Sequence, residues 1–259
     1  MTALRVGRRG TGLLLAALAW VVAPRDAGAQ GPRRSVDNLN TWAAVVGEVE
    51  LARRWFVDYD VQVRRHGPVQ RWQQFLPRAG LRFQPTAAVR LTAGYALAES
   101  WPYGEVPAPR RTREHRLWEQ LQLQHAAGRV ALTQRYRLEQ RWVGAVTAPG
   151  AGAGVAARVR SNRLRYRLQG TLPLRGATVD DGEPYLAAFD ELFVQWGENV
   201  QANPLDQNRA GVSVGRRWSR RLRTEVGYMH HLVLKPNGRD VEHNHTLLLT
   251  VLPTMPWRR

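Results

Sequence analysis

Arginine recurs at alternate positions in several stretches of this chain. Arg135, Arg137 and Arg141 share one parity with Glu139, and Arg163, Arg165 and Arg167 alternate with Leu164, Tyr166 and Leu168. Side chains two residues apart on an extended strand lie on one face, so each run gathers guanidinium groups on a single surface. Guanidinium forms two-pronged hydrogen bonds with carboxylates and other oxyanions. The same parity adds Arg64, Arg78, Arg82, Arg90, Arg116, Arg209 and Arg223, with Asp58, Asp60, Glu114, Glu139, Glu225 and one of Asp190 or Glu191 as the acids. Two chemistries fit: an interlocked arginine–carboxylate ladder, or a surface that binds or conducts small anions. The strongest members are Glu114, Arg116, Arg135, Arg137, Glu139, Arg141, Arg163, Arg165, Arg167, Glu191 and Arg209. Lysine occurs only at Lys235, so codon usage in a GC-rich genome is a third account of the arginines.

Other reactive types are poorly arranged. His243 and His245 share a face, and His230 could sit on the neighbouring strand, but no cysteine or suitable carboxylate completes a metal set. Ser213 has a plausible inward position, while Ser100, Ser161 and Ser219 lie elsewhere, and none stands in a nucleophile motif with a histidine and an orienting acid. Phosphate loops, dinucleotide fingerprints and HExxH are absent. No catalytic residue, metal or cofactor is expected.

The elements that position the arginines are β-strands. Arg54–Arg64 (RWFVDYDVQVR) sets Trp55, Val57, Tyr59, Val61 and Val63 against Asp58, Asp60 and Gln62, an apolar face backing a charged one. Eleven candidates follow this pattern: Trp42–Leu51, Arg54–Arg64, Trp72–Phe83, a strand through Val89–Leu97, Glu114–His125, Val130–Val143, one around Arg163–Leu168, Tyr185–Trp196, Asn208–Trp218, Leu222–Leu234 and Asn244–Leu252. Single-chain bacterial barrels have even strand numbers. Setting Trp42–Leu51 aside leaves ten, with the connections at 65–71, 100–113, 144–157, 197–207 and 235–243 on one side. The short ones at 85–87, 126–129 and 219–221 fall on the other, and 173–183 is an exception. Pro77 cannot donate to a ladder and predicts a bulge or an edge. Gln134, Gln140 and Glu119 sit on the apolar face against the pattern.

Residues 1–29 read as a cleaved secretory signal: Arg5, Arg8 and Arg9, then the apolar Leu13–Ala23, then Ala27-Gly28-Ala29 before Gln30. Residues 30–37 read as a flexible segment and 38–259 as one domain. No later stretch reaches the about eighteen apolar residues of a helical span. The expectation is therefore an all-β fold, a single antiparallel up-and-down transmembrane barrel of about 10–12 strands in the outer membrane. Trp55, Trp72, Trp101, Trp142, Trp196, Trp218 and Trp257 near strand ends suit an interfacial girdle. A soluble periplasmic barrel with an anionic ligand, and a lipid- or lipopolysaccharide-modifying enzyme, are the alternatives. Lacking cysteine, the chain has neither disulfides nor a lipoprotein anchor. Without the signal's four arginines and one acid, 34 basic and 20 acidic side chains remain of 38 and 21, a formal +14. Export argues against nucleic acid as the partner and for outer-membrane lipids, lipopolysaccharide phosphates or small anions.

The motifs Glu114–Leu121 (EHRLWEQL), Arg135–Arg141 (RYRLEQR), Arg163–Leu168 (RLRYRL), Asp190–Phe193 (DELF), Asp206–Arg209 (DQNR) and Glu225–Tyr228 (EVGY) follow in an order that resembles the bacterial family known as domain of unknown function 2490. The similarity runs from about Asn38 to Leu252. It implies an outer-membrane barrel-like fold and carries no established activity, substrate or catalytic residue. The Ala/Gly-rich stretch 148–157 is peculiar to this chain.

Overall fold

The computed structural model describes residues 33–147, 154–155, 158–198, 200 and 204–255. The signal segment, most of the Ala/Gly-rich stretch and Trp257 lie outside these residues. Eleven strands close into a barrel: β1 (Arg34–Ala52), β2 (Trp55–His66), β3 (Arg71–Phe83), β4 (Val89–Ser100), β5 (Thr112–Ala127), β6 (Val130–Ala145), β7 (Val159–Pro173), β8 (Pro184–Gly197), β9 (Leu205–Ser219), β10 (Leu222–Leu234) and β11 (Asp240–Met255). Neighbours in sequence pair antiparallel, and β1 closes the sheet by pairing parallel with β11.

That closure corrects the removal of the first strand. An even count assumes that every pair is antiparallel. One parallel pair permits eleven and puts Arg34 and Met255 at opposite ends of the barrel. Strand β1 also starts at Arg34, so residues 34–37 of the segment read as flexible are strand. Strand alternation puts the connections after β2, β4, β6, β8 and β10 at one end, here the long-loop end. Those after β1, β3, β5, β7 and β9 lie at the short-turn end, where 174–183 is again the long exception. Gly128 supplies a φ of 60° in the two-residue turn between β5 and β6, a conformation that costs glycine nothing.

Pro77 lies within β3 opposite Val61, and pairing with β4 lapses over Leu76 and Pro77 without a register shift. The bulge falls instead at Gln73, between the pairs Arg64–Gln74 and Arg65–Trp72. The extra residue turns a second amide inward, so Gln73 is buried and accepts a 2.7 Å hydrogen bond from Trp42 Nε1.

The barrel is inverted relative to a water-soluble core. Glu139, Glu191 and Glu242 are at most 1% exposed, and Arg82, Arg163 and Arg165 at most 4%, while Leu81, Leu117, Leu164, Val214 and Val226 are 43–57% exposed. Trp72 and Trp196 are exposed towards the long-loop end, and Trp55 and Trp218 towards the short-turn end. A small apolar cluster of Leu76, Ala96, Ala98 and Trp118 is buried. It has room because Gly80 pairs with Gly94 and Gly94 with Trp118, and the indole lies across both glycines.

Candidate functional site

Strands β6 to β9 carry a continuous ionic lattice. Glu139 accepts from Arg163 at 2.6 Å and from Arg165 at 2.7 Å. Arg165 also donates to Glu191 at 2.7 Å, and Glu191 accepts from Arg135 at 2.6 Å. Arg163 reaches on to Asp206 at 3.0 Å. Nearer the long-loop end Glu114 accepts from Arg116 at 2.7 Å and from Arg141. Direct cross-strand pairing puts Glu139 against Arg163, while Glu191, opposite Arg167 in the ladder, is held by the diagonal Arg165 instead: both direct and diagonal residues on a shared face are within reach of long side chains. The opposite wall is thinner, with Arg78 on Asp60 at 2.5 Å and Arg82 between Glu48 at 2.7 Å and Asp58 at 3.0 Å.

Of the inward arginines without a carboxylate within 4.0 Å among the described residues, four are met by glutamines instead. Arg64 donates to Gln62 and Gln74, Arg137 to Gln120, Arg167 to Gln169 and Arg209 to Gln207, at 2.5–3.1 Å. Each also stacks on an aromatic ring: Arg64 on Trp42 at 3.7 Å, Arg137 on Trp118 at 4.3 Å, Arg167 on Phe189 at 3.8 Å and Arg209 on Phe193 at 4.5 Å. An amide oxygen and a ring face orient a guanidinium without cancelling its charge. The interior therefore keeps an uncompensated positive potential that would draw an anion.

Three cavities succeed one another along the bore. The widest, about 650 Å³, lies towards the short-turn end and is lined by Arg78, Arg82, Arg90, Arg137 and Arg223 with Gln120 and Gln124 among others. A middle chamber of about 240 Å³ faces six arginines (Arg64, Arg78, Arg135, Arg165, Arg167 and Arg209) and three acids (Asp60, Glu191 and Glu225). A third of about 240 Å³ near the long-loop end is bounded by Arg116, Arg141, Glu114, Tyr103 and Glu242. The loop after β4 folds over that mouth. Its half-buried Tyr103 lies against His66 with ring centroids 5.7 Å apart and the rings tilted, and burial, with Glu242 nearby, pushes the phenol up to about 12.

Every arginine expected inside lines one of these cavities, and the acid from the Asp190/Glu191 pair is Glu191. Asp190 points outward and accepts from Asn208 at 3.0 Å. Glu119 does the same, accepting from Gln140 at 3.1 Å, while Gln134 accepts from Tyr136 at 3.2 Å. The inward acids Glu48, Asp206 and Glu242 were missed. Glu242 pairs with Lys235 at 2.7 Å, whereas Glu99 lies on the outward parity and pairs with the exposed Arg111 and Arg113. Glu48 shares the parity of Trp42, within a strand whose faces mix apolar and polar residues, and Asp206 and Glu242 fell in stretches read as connections.

His230 lies 3.1 Å from His243, and His245 contacts Tyr228 at 2.7 Å and Asp37 at 3.3 Å, all on the outer surface. Among the described residues no group of three or more has the geometry of a metal site. Ser213 and Ser161 are buried inward, and no serine hydroxyl bonds to a histidine among the described residues. The model of a protein family described as of unknown function (DUF2490) matches residues 39–242. No curated protein and no solved structure matches the chain.

Proposed function

The chain belongs to this family of unknown function (DUF2490), and we propose that it is an outer-membrane barrel whose arginine–carboxylate interior rigidifies the wall and binds small anions. The observation that carries this reading is the inversion of burial. Leucine and valine lie outward along the strands and glutamate and arginine inward. Hydrocarbon is the solvent that rewards such an arrangement: in water it would expose the apolar band and desolvate the charges for no return. Tryptophans towards both ends of the exposed band fit two membrane interfaces. The lattice fills much of the bore, which favours binding over free conduction.

Fractionation of cells making the full chain tests this. The protein should sediment with outer membranes, need detergent for release and migrate faster on gels before boiling than after. Recovery in the soluble periplasmic fraction without detergent would overturn the proposal.

A further inference from the structure

We infer that the wide cavity towards the short-turn end binds a hydroxyl-rich anion, the chemical class of sugar phosphates. The inference rests on the anion-binding reading of the interior and gives it a ligand. Its volume, about 650 Å³, falls in the range of small-molecule sites and exceeds what one inorganic oxyanion fills.

The charge is in place. Asp60, Asp58 and Glu48 are all engaged by Arg78 and Arg82. Arg90, Arg137 and Arg223 line the same cavity with no carboxylate within 4.0 Å among the described residues. Arg137 is 6% exposed, and its Nη1, like Arg90 Nε, has no hydrogen-bond partner. Both guanidinium groups line the cavity and place there a charge that no carboxylate cancels.

The neutral lining distinguishes this cavity from the middle chamber. Gln120, Gln122 and Gln124 occupy alternate positions of β5 and all face the space, joined by Gln169 of β7 and the hydroxyls of Thr133 and Thr171. Gln124 has no side-chain hydrogen bond among the described residues, and Gln122 uses only its oxygen, accepting from Gln120 at 2.8 Å. Amides that both donate and accept suit ligand hydroxyls. A bare oxyanion would find more arginines per unit volume in the middle chamber.

Titration calorimetry on the folded mature chain in detergent micelles, with glucose 6-phosphate, inorganic phosphate and glucose as probes, tests the assignment. Glucose 6-phosphate should bind saturably and about tenfold or more tighter than either other probe, as loss of one charged or several neutral hydrogen bonds implies. Arg90→Gln and Gln124→Ala should each weaken it severalfold. These two positions are outside the central lattice, and unboiled gel mobility confirms that each variant is folded. No saturable binding, equal affinity for inorganic phosphate, or unchanged affinity in both variants would overturn the inference. A chain that sediments with outer membranes yet fails here loses only its ligand. One that binds glucose 6-phosphate but is released as a soluble protein loses only its membrane.

Discussion

Arg165 sits between two strands' worth of negative charge, its Nη1 2.7 Å from Glu139 Oε1, and neither side chain is more than 5% exposed. The same guanidinium holds Glu191 through Nε and Nη2, so it links β6, β7 and β8 across the interior. Removing one member of such a buried group strands the others without compensation, and that loss is larger than the net worth of the pair.

Glu139→Ala should lower unfolding stability by about 3–5 kcal/mol, because it strips Arg163 and Arg165 of an acceptor together. Urea unfolding of the protein folded into vesicles measures the change. An unchanged midpoint would mean that water replaces the carboxylate there and that the lattice is hydrated.

The parallel seam has a polar lock. Asn40 Nδ2 donates to Asn244 Oδ1 at 2.9 Å, and Asn244 Nδ2 donates to the His231 carbonyl at 3.2 Å. Both asparagines are fully buried. Asn40→Leu leaves the Asn244 oxygen unpaired, at about 1–3 kcal/mol, and should weaken closure specifically. Hydrogen exchange read strand by strand should show faster exchange in β1 and β11 than in β5 and β6. Uniform acceleration would contradict a local role.

Gly94 has no room for a side chain. An ideal Cβ there would lie 2.6 Å from Trp118 Cζ2 and closer still to the Ala79 carbonyl oxygen, and one at Gly80 would lie 2.7 Å from Trp118 Cη2. Gly94→Val should destabilise by about 1–3 kcal/mol or more through overpacking. At Gly94 the Ala79 carbonyl stays in place whatever stands at 118, but at Gly80 the indole is the nearest neighbour. Trp118→Leu combined with Gly80→Ala should therefore recover part of the Gly80→Ala loss, and strictly additive losses would show that this glycine serves something other than the indole.

Much of this was legible in the sequence because one periodicity governs each strand. The alternation through Arg135–Arg141 and Arg163–Arg167 assigned the lattice to one face, and its partners followed once β6 and β7 were neighbours. The closing strand was harder to read. A rule of even numbers discounted Trp42–Leu51, although the inward parity of Asn38, Asn40 and Trp42 already marked a strand. Parallel pairing with β11 joins residues some two hundred positions apart, and no local pattern encodes it. The missing donor of Pro77 predicts a bulge or an edge there; the pairing with β4 does lapse at Pro77, whereas the ladder with β2 runs through it and bulges at Gln73 instead. Which arginines would meet glutamine rather than glutamate depended on register, which alternation leaves free by any even number of residues.

The central claim is that the apolar side of the sheet touches acyl chains. The native chain has no cysteine, so single cysteines at Leu168 and Val212, 40% and 44% exposed on the outer face, and at Gly128 in a turn can each carry an environment-sensitive fluorophore after folding into vesicles. The labels at Leu168 and Val212 should emit as in hydrocarbon and be quenched by spin-labelled acyl chains, while the label at Gly128 emits as in water. Water-like emission and iodide quenching at Leu168 and Val212 would contradict the account.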